Sequence, residues 1–421
     1  MTFECPEQTF ADNLHPAIPI GLPTLVKMAF DGLDLTPVCN MLAERVNNDP
    51  TDAAALMDLS AIAHISGGAS DRIALQEQAL RLQRVYRQLP ATAAPGGIRL
   101  LAFMVAGNFL ANTPLEFLLE GSNVTLDMVY LVPGERLPHP LPEHDVALVA
   151  VTELADNQEV LRELASLLRS WPRPVLNAPA RIARLTRDGA WSLLNSAPGV
   201  VMPMTARIDR SGLAQISNGE IAIESILPGS GWPIIARPVD SHAGEGLARL
   251  EHESDIGVYL GERQDPQFFI SPFVDYRSRD GLFRKCRIAL IDGRPYACHM
   301  AVSQHWMIHY VNAEMYTRPE RREEEARFMA DFDYDFALRH KKALDTIAAR
   351  VGLDYVTIDC AETQDGALLV FEVGNGMIVH AMDSPDLFPF KRTQMNKVFR
   401  AFEDMLRRAA KPRPEAIRRS A

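Results

Sequence analysis

Cysteine is sparse in this chain and shows no pairing pattern. Five are spread over 421 residues, at Cys5, Cys39, Cys286, Cys298 and Cys360. The number is odd and no CxxC spacing occurs, so neither a disulfide framework nor a zinc site is indicated and buried thiols are expected. Long apolar runs are missing too: no stretch reaches the roughly 20 residues that span a bilayer. The opening MTFECPEQTF lacks the basic-then-apolar order of a signal peptide. A cytoplasmic protein with no membrane partner is the expectation. Positive charge is in deficit, with 43 Lys and Arg against 54 Asp and Glu and a formal net charge of -11. That balance argues against nucleic acid as a partner, because phosphate neutralisation needs a basic surface. Only the tail is locally basic, through Arg407, Arg408, Lys411, Arg413, Arg418 and Arg419. What is present, 47% hydrophobic and 23% charged residues, is ordinary for a globular protein. The length suits two or three domains, each with its own core.

From about Pro23 to Arg87 apolar residues recur at helical spacing, as in Ala54, Leu56, Leu59, Ala63 and Ile65, then Ile73, Leu75, Ala79, Leu80, Leu82 and Tyr86. Asp52 reads as a helix start, Gly67-Gly68 as a break, and Ser70 or Asp71 as the next cap. The pattern resembles one tetratricopeptide-like helical hairpin with a further helix before it. A lone hairpin cannot bury its apolar face and must pack on the rest of the chain or on a partner. Residues 1–95 are therefore read as an accessory helical region able to recruit a protein partner. Pro95-Gly96-Gly97 marks the boundary to a second block, 96–176. There residues 98–105 and 146–151 are short, continuously apolar runs, the mark of strands buried on both faces. A helical run at 159–168 precedes a further strand at Val175-Leu176, and strand, helix, strand indicates a small parallel α/β domain. Gly107-Asn108 after the first strand is either a point of close approach for a ligand or a plain turn.

The third block, 177–421, carries the chemistry. Residues 233–238 (PIIARP) form an apolar strand bearing Arg237, followed by the polar, glycine-bearing loop 240–247 (DSHAGEGL). A strand-borne guanidinium beside backbone N–H groups can grip phosphate oxygens; an ion pair at Arg237 with a simple hairpin turn is the alternative. Residues 267–275 (QFFISPFVD) are an apolar strand broken by Pro272. The break leaves backbone groups free to bond an adenine edge, and a kinked edge strand is the alternative. Residues 285–297 read as a β-hairpin with Asp292-Gly293 at its turn, and the period of two puts Lys285 and Arg287 on one face. Two such cations are costly on a half-buried strand unless an anion meets them. Asn312 follows the aromatic stretch 306–311 and precedes a long helical segment, 323–351.

A last hairpin holds the carboxylates. Tyr355, Val356 and Ile358 lead to Asp359, residues 363–366 (TQDG) turn the chain, and 368–373 return it through Glu372 to Gly374 and Asn375. A carboxylate near the end of each strand and an amide oxygen just beyond give three hard oxygen ligands, as Mg²⁺ held against a nucleoside triphosphate requires. Otherwise Asp359 is a strand-end cap, Glu372 a solvent-facing residue and Asn375 a turn former. Leu369, Val370, Phe371 and Val373 make the setting of Glu372 too apolar for a purely solvated strand.

Taken in order, residues 177–405 resemble the ATP-grasp superfamily, of the glutathione synthetase and ribosomal-protein glutamate ligase kind, and 98–176 are similar to the α/β domain that precedes it there. The matching positions are Asn177-Ala178-Pro179, Arg237, 241–246, 270–273, Arg287, Asn312, Asp359, and Glu372 with Asn375. The resemblance implies an α/β (α+β) fold of ATP-grasp type behind a helical region. It implies an ATP-dependent ligase that joins a small-molecule or peptide carboxylate to an amine through an acylphosphate. ATP contacts would come from Arg237, Ser241, His242, Gly244, Gly246, Ser271, Phe273 and Asp275. Arg287, Lys285 and Asn312 would be catalytic, and Asp359, Glu372 and Asn375 would hold Mg²⁺, with Mn²⁺ able to replace it. A homodimer is compatible with this reading. Three departures matter. Arg237 replaces the commoner lysine, keeping the charge and adding a bidentate fork. The lysine usual after the Asn-x-Pro motif is absent, since Asp188 is followed by Gly189, which leaves Arg184 or Arg187 to substitute. The Glu-Val-Gly-Asn run is one residue longer than usual, and Gly374 can absorb the shift. A nucleotide-binding scaffold with lapsed catalysis and a kinase acting on a hydroxyl are the alternatives. His299, His305 and His309 are candidates for the substrate pocket or simply satisfied histidines.

Overall fold

In the computed structural model, which describes residues 15–92, 95–239, 241 and 244–411, four helices open the chain: α1 (Leu22–Phe30), α2 (Thr36–Asn48), α3 (Ala53–Ile65) and α4 (Ala69–Leu82). Asp52 caps α3, accepting the Ala55 N–H at 2.9 Å, as its position suggests. The N-cap position of α4 is Gly68 rather than Ser70 or Asp71. Gly68 serves both helix ends at once, its N–H bonding the Ala63 carbonyl behind α3 and its own carbonyl accepting Arg72 N–H in α4. Leu25, Leu42, Ala55, Leu59 and Ile62 form the core of this bundle. The helical pattern does not run on to Arg87. Val85 and Tyr86, a β-branched and an aromatic residue, go instead into strand β1 (Val85–Gln88) and are buried there.

The chain groups into two units, one of Met1–Val151, Ser166–Leu176 and Phe402–Ala421 and one of Thr152–Ala165 and Asn177–Ala401. The first holds the helices and a five-stranded sheet ordered β1-β3-β2-β4-β5, with β2 (Ile98–Val105), β3 (Val124–Leu131), β4 (Val146–Val149) and β5 (Val175–Leu176). All neighbours are parallel except β1, which runs antiparallel to β3. The apolar runs foretell β2, β4 and β5. They miss β3, where Thr125 and Asp127 interrupt the pattern; Asp127 is tolerated inside because Arg87 of β1 grips it at 2.7 and 2.9 Å. Short α5 (Leu115–Leu118) follows β2, and α6 (Gln158–Leu167) comes between β4 and β5 in sequence as expected, its residues up to Ala165 belonging to the second unit.

The second unit contains α7 (Pro179–Ile182), α8 (Arg187–Leu194), β6 (Val200–Val201), β7 (Ala206–Asp209), α9 (Arg210–Ser217), α10 (Ile223–Ile226), β8 (Ile234–Pro238), β9 (Ala248–Leu250), α11 (Glu253–Gly261) and β10 (Gln267–Pro272). Then come β11 (Phe283–Ile291), β12 (Arg294–Ser303), α12 (Pro319–Asp331), α13 (Phe336–Arg339), α14 (Lys341–Val351), β13 (Tyr355–Glu362) and β14 (Leu368–Gly374), and α15 (Lys391–Ala410) follows, its residues from Phe402 on belonging to the first unit. The architecture is thus mixed α/β, with helices ahead of the sheets. The helix expected over 323–351 is broken between Asp331 and Phe336, where Phe328, Phe332 and Phe336 pack on one another. No helix of the described residues is long and apolar enough to cross a membrane.

Two sheets frame this unit, one antiparallel and one antiparallel except for the parallel pairing of β14 with β6. In β7-β10-β8-β9, alternation sends Ile208, Ile234, Ala236, Leu250, Phe268 and Ile270 into a core with residues of α9 and α11. The opposite face then carries Arg207, Ile235, Arg237, Arg249, Phe269 and Ser271. Strand β10 is flanked on both sides rather than at an edge. Pro272 ends it, and beyond it the Phe273 N–H donates to the Pro233 carbonyl at 3.0 Å. The second sheet is ordered β12-β11-β13-β14-β6. Its β11–β12 turn has Asp292 and Gly293 both at positive φ, 48° and 73°, which an Asp-Gly hairpin turn requires.

Candidate functional site

The register of the second sheet draws the charged residues into line. Arg287 of β11 pairs with Asp359 of β13, and Asp359 pairs in turn with Glu372 of β14. His299 of β12 stands opposite Arg287 on its other side. The anion that Lys285 and Arg287 need is therefore Asp359. Arg287 Nε and an Nη reach its two oxygens at 2.8 and 3.1 Å, and Lys285 Nζ lies 2.7 Å away. Arg287 also donates to the Ile378 carbonyl at 2.9 Å. Asp359 is 2% exposed. Burial pushes its carboxyl up, but Arg287 and Lys285 outweigh that and hold it well below the usual carboxylate range.

Glu372 has a different cation. Arg187, the first residue of α8, lies 3.0 Å from it and lowers its pKa against the opposing effect of burial. Of Arg184 and Arg187, it is Arg187 that pairs with Glu372. Arg237 of β8 is buried and donates to the Ser241 carbonyl and, at 3.2 Å, to the Ser241 hydroxyl. Burial, then the neighbouring Arg187, pushes its pKa down to about 9, so it stays charged at neutral pH. Lys285, Arg287, Arg187 and Arg237 thus gather about Asp359 and Glu372, and Glu153 lines the same pocket as Arg187 and Glu372. Four cations against three carboxylates leave the count positive.

The loop between β8 and β9 joins two antiparallel partners, so it is a hairpin connection in topology. Gly244 (φ 77°) leaves no room for a side chain: a Cβ there would stand 2.3 Å from Nε2 of His309. At Gly246 (φ 65°) it would stand 2.6 Å from Cδ of Pro238. His309 Nε2 is buried and has no hydrogen-bond partner among the described residues. Burial, then Lys285, lowers its pKa and keeps the ring neutral. His242 lies outside the described residues.

The remaining expected positions are dispersed. Ser271 stands opposite Ile235, which places it on the face that bears Arg237. Phe273 lies under the Arg249 guanidinium, 4.1 Å from ring centre, and against Trp306 at 5.7 Å. Asp275 is turned to Arg277 at 3.1 Å. Asn312 is exposed and accepts the His309 N–H at 2.9 Å within its own turn. Asn375 is completely buried just beyond Gly374. His299 is half-buried, its pKa driven well down by desolvation and by Arg287, whereas His305 is exposed. Asn177 is a clamp, its side-chain amide exchanging two 2.9 Å hydrogen bonds with the backbone of Tyr355. The roles of Arg207, whose guanidinium lies 5.0 Å from the Phe269 ring centre, and of Arg249 were signalled only by alternation in two short strands.

No group of three or more His, Cys, Asp and Glu able to hold a metal occurs among the described residues. Asp359 and Glu372, both ionised and directly opposed, fit a hard divalent cation only if other oxygens, from an amide, water or phosphate, complete its shell.

No protein-family profile matches the sequence, and no curated protein matches it. Solved structures with a similar course of the chain include the VanG D-Ala:D-Ser ligase of Enterococcus faecalis. It has a TM-score of 0.47 and 12% identity over 74% of this chain and 99% of that one. A RimK domain ATP-grasp protein of Sphaerobacter thermophilus gives 0.39 and 18% over 73% and 99%. A D-alanine–D-alanine ligase of Bacillus anthracis, in complex with ATP, gives 0.42 and 13% over 75% and 97%. Likenesses this low carry no argument about what this chain does.

Proposed function

We propose that the protein is an ATP-dependent carboxylate–amine ligase of ATP-grasp type. The observation that carries this reading is the aligned row Arg287, Asp359 and Glu372, with Lys285, Arg187 and Arg237 around it and positive charge left over for a polyphosphate. Arg237 and Arg187 bind phosphate oxygens from the β8 side, and the 241–246 loop closes over them. Lys285 and Arg287 hold the acceptor carboxylate beside the γ-phosphoryl group, whose transfer breaks its bond to ADP and makes an acylphosphate. An amine then attacks the acyl carbon, phosphate leaves, and neutral His309 takes the proton that the nitrogen loses. Asp359 and Glu372, with Asn375, would hold Mg²⁺ or Mn²⁺, which would neutralise the transferring phosphoryl charge.

The test is ADP release from a panel of acids and amines, with the product identified by mass. An amide whose formation needs acid, amine, ATP and Mg²⁺ together supports the reading. A phosphorylated hydroxyl would make the protein a kinase, and nucleotide binding without any turnover would make it a scaffold.

A further inference from the structure

The first unit contains a cavity of about 400 Å³, within the usual size of a small-molecule site, and every residue that lines it lies between Ile18 and Tyr130. Topology explains its position. β1, β3 and β2 are successive neighbours in the sheet, and residues of all three line the cavity together with residues of α3 and α4. Met104 near the end of β2, Gly107 and Asn108 after it, and Tyr130 near the end of β3 all line the space.

The wall is charged at two ends. At one, Tyr86 meets Tyr130 edge-on at 5.7 Å, Asp58 acts on Tyr86, and Glu116 acts on Tyr130. Asp58 is committed to the backbone N–H groups of Ile20 and Gly21, at 2.7 and 3.1 Å. Glu116 is buried, and no cation pairs with it among the described residues. At the other end His64 packs on Phe109, with ring centres 3.8 Å apart, and Arg72 is within electrostatic reach of His64. Arg72 is half-buried and has no carboxylate partner among the described residues. Met57, Met104 and Met128 line the space apolarly. Gln76, whose Oε1 accepts the Gly107 N–H at 2.8 Å, keeps its amide N–H₂ for a carbonyl.

We propose that this cavity binds a short zwitterionic peptide by its two ends, with the ammonium toward Glu116 and the carboxylate toward Arg72. Asp58 and His64 both line the cavity and lie six residues apart on α3, about 9 Å along a helix, so the space is about as long as an extended tripeptide, which spans about 10 Å at most. The apolar wall suits small aliphatic side chains, and Gln76 suits the peptide carbonyl between the ends.

The proposal stands apart from the ligase reading and is tested without nucleotide. Trialanine is titrated calorimetrically into the full chain beside N-acetyl-trialanine and trialanine amide. Trialanine is expected to bind at least about ten-fold tighter than either blocked form, because each block removes one charge-assisted contact. Glu116→Gln should lose the discrimination against the acetylated peptide, and Arg72→Gln that against the amide, with unfolding midpoints showing both variants folded. The blocked peptides probe the same contacts on the unaltered protein, so the decision does not depend on the variants. No saturable heat at millimolar trialanine, or equal affinity for all three peptides, overturns the proposal.

Discussion

Arg287 delivers two guanidinium N–H groups to the two oxygens of Asp359, 72 residues further along the chain, across directly paired strands. The carboxylate is buried, so the pair is a commitment of the fold as well as of the site. Removing one partner of such a pair typically costs about 3–5 kcal/mol, because the other charge is left buried and uncompensated. Asp359→Asn should therefore lower the unfolding midpoint as well as remove activity.

The pH dependence has a definite sign. Asp359 has a folded pKa depressed below its unfolded value of about 3.9. Its contribution to stability is fully present above that value and is lost as pH falls below it toward the folded pKa. Thermal melts from about pH 5 downward should show a steeper loss of stability in the native protein than in Asp359→Asn. Parallel curves would mean that the pair contributes nothing to folding.

Much of this arrangement was legible in the sequence, and the limits are physical. The β11–β12 turn, the carboxylate hairpin, β2 and β4 rest on local signals: Asp-Gly at a turn, a polar tetrapeptide, unbroken apolar runs. Even the need of Lys285 and Arg287 for an anion followed from alternation alone. Which anion answers them did not, because register between strands far apart in sequence is fixed by the packing of the whole sheet. The partnership of Arg187 with Glu372, across 185 residues, was hidden for the same reason. The break in the helix expected over 323–351, where Phe328, Phe332 and Phe336 pack on one another, is marked by no glycine or proline in the sequence.

Glu372 tests how metal enters. With Arg187 on Glu372 and two cations on Asp359, both carboxylates are already neutralised, so Mg²⁺ alone should not bind measurably. ATP with Mg²⁺ should bind more tightly than ATP alone, as phosphates draw the cations off the carboxylates. In Glu372→Gln that metal-dependent gain should disappear while metal-free ATP affinity is kept or rises. Calorimetry checks both, and an undiminished Mg²⁺ effect in the variant would remove Glu372 from the metal site.

Arg237 separates charge from geometry. Its guanidinium holds both the carbonyl and the hydroxyl of Ser241, so it anchors the loop as well as facing the site. Arg237→Ala should weaken ATP binding by about ten-fold or more, in line with loss of a charged hydrogen bond. Arg237→Lys should fall between, keeping the charge without the fork. Equal affinities in all three proteins would reduce Arg237 to a structural role.

Gly244 offers the sharpest test of the loop. Its left-handed backbone and the 2.3 Å gap from a built Cβ to His309 Nε2 mean that Gly244→Ala must displace either the ring or the loop. Nucleotide affinity should fall in that variant, and hydrogen exchange over residues 241–247 should show less protection on adding ATP analogue and Mg²⁺ than in the native protein. Replacing His309 by Gly in the Gly244→Ala background removes the obstruction but not the backbone strain, which is about 1–2 kcal/mol for a left-handed alanine. Partial recovery of affinity is therefore expected in the double variant, measured by binding so that any role of His309 in proton transfer does not enter. If the double variant binds no better than Gly244→Ala, the contact between Gly244 and His309 is not what seats the loop.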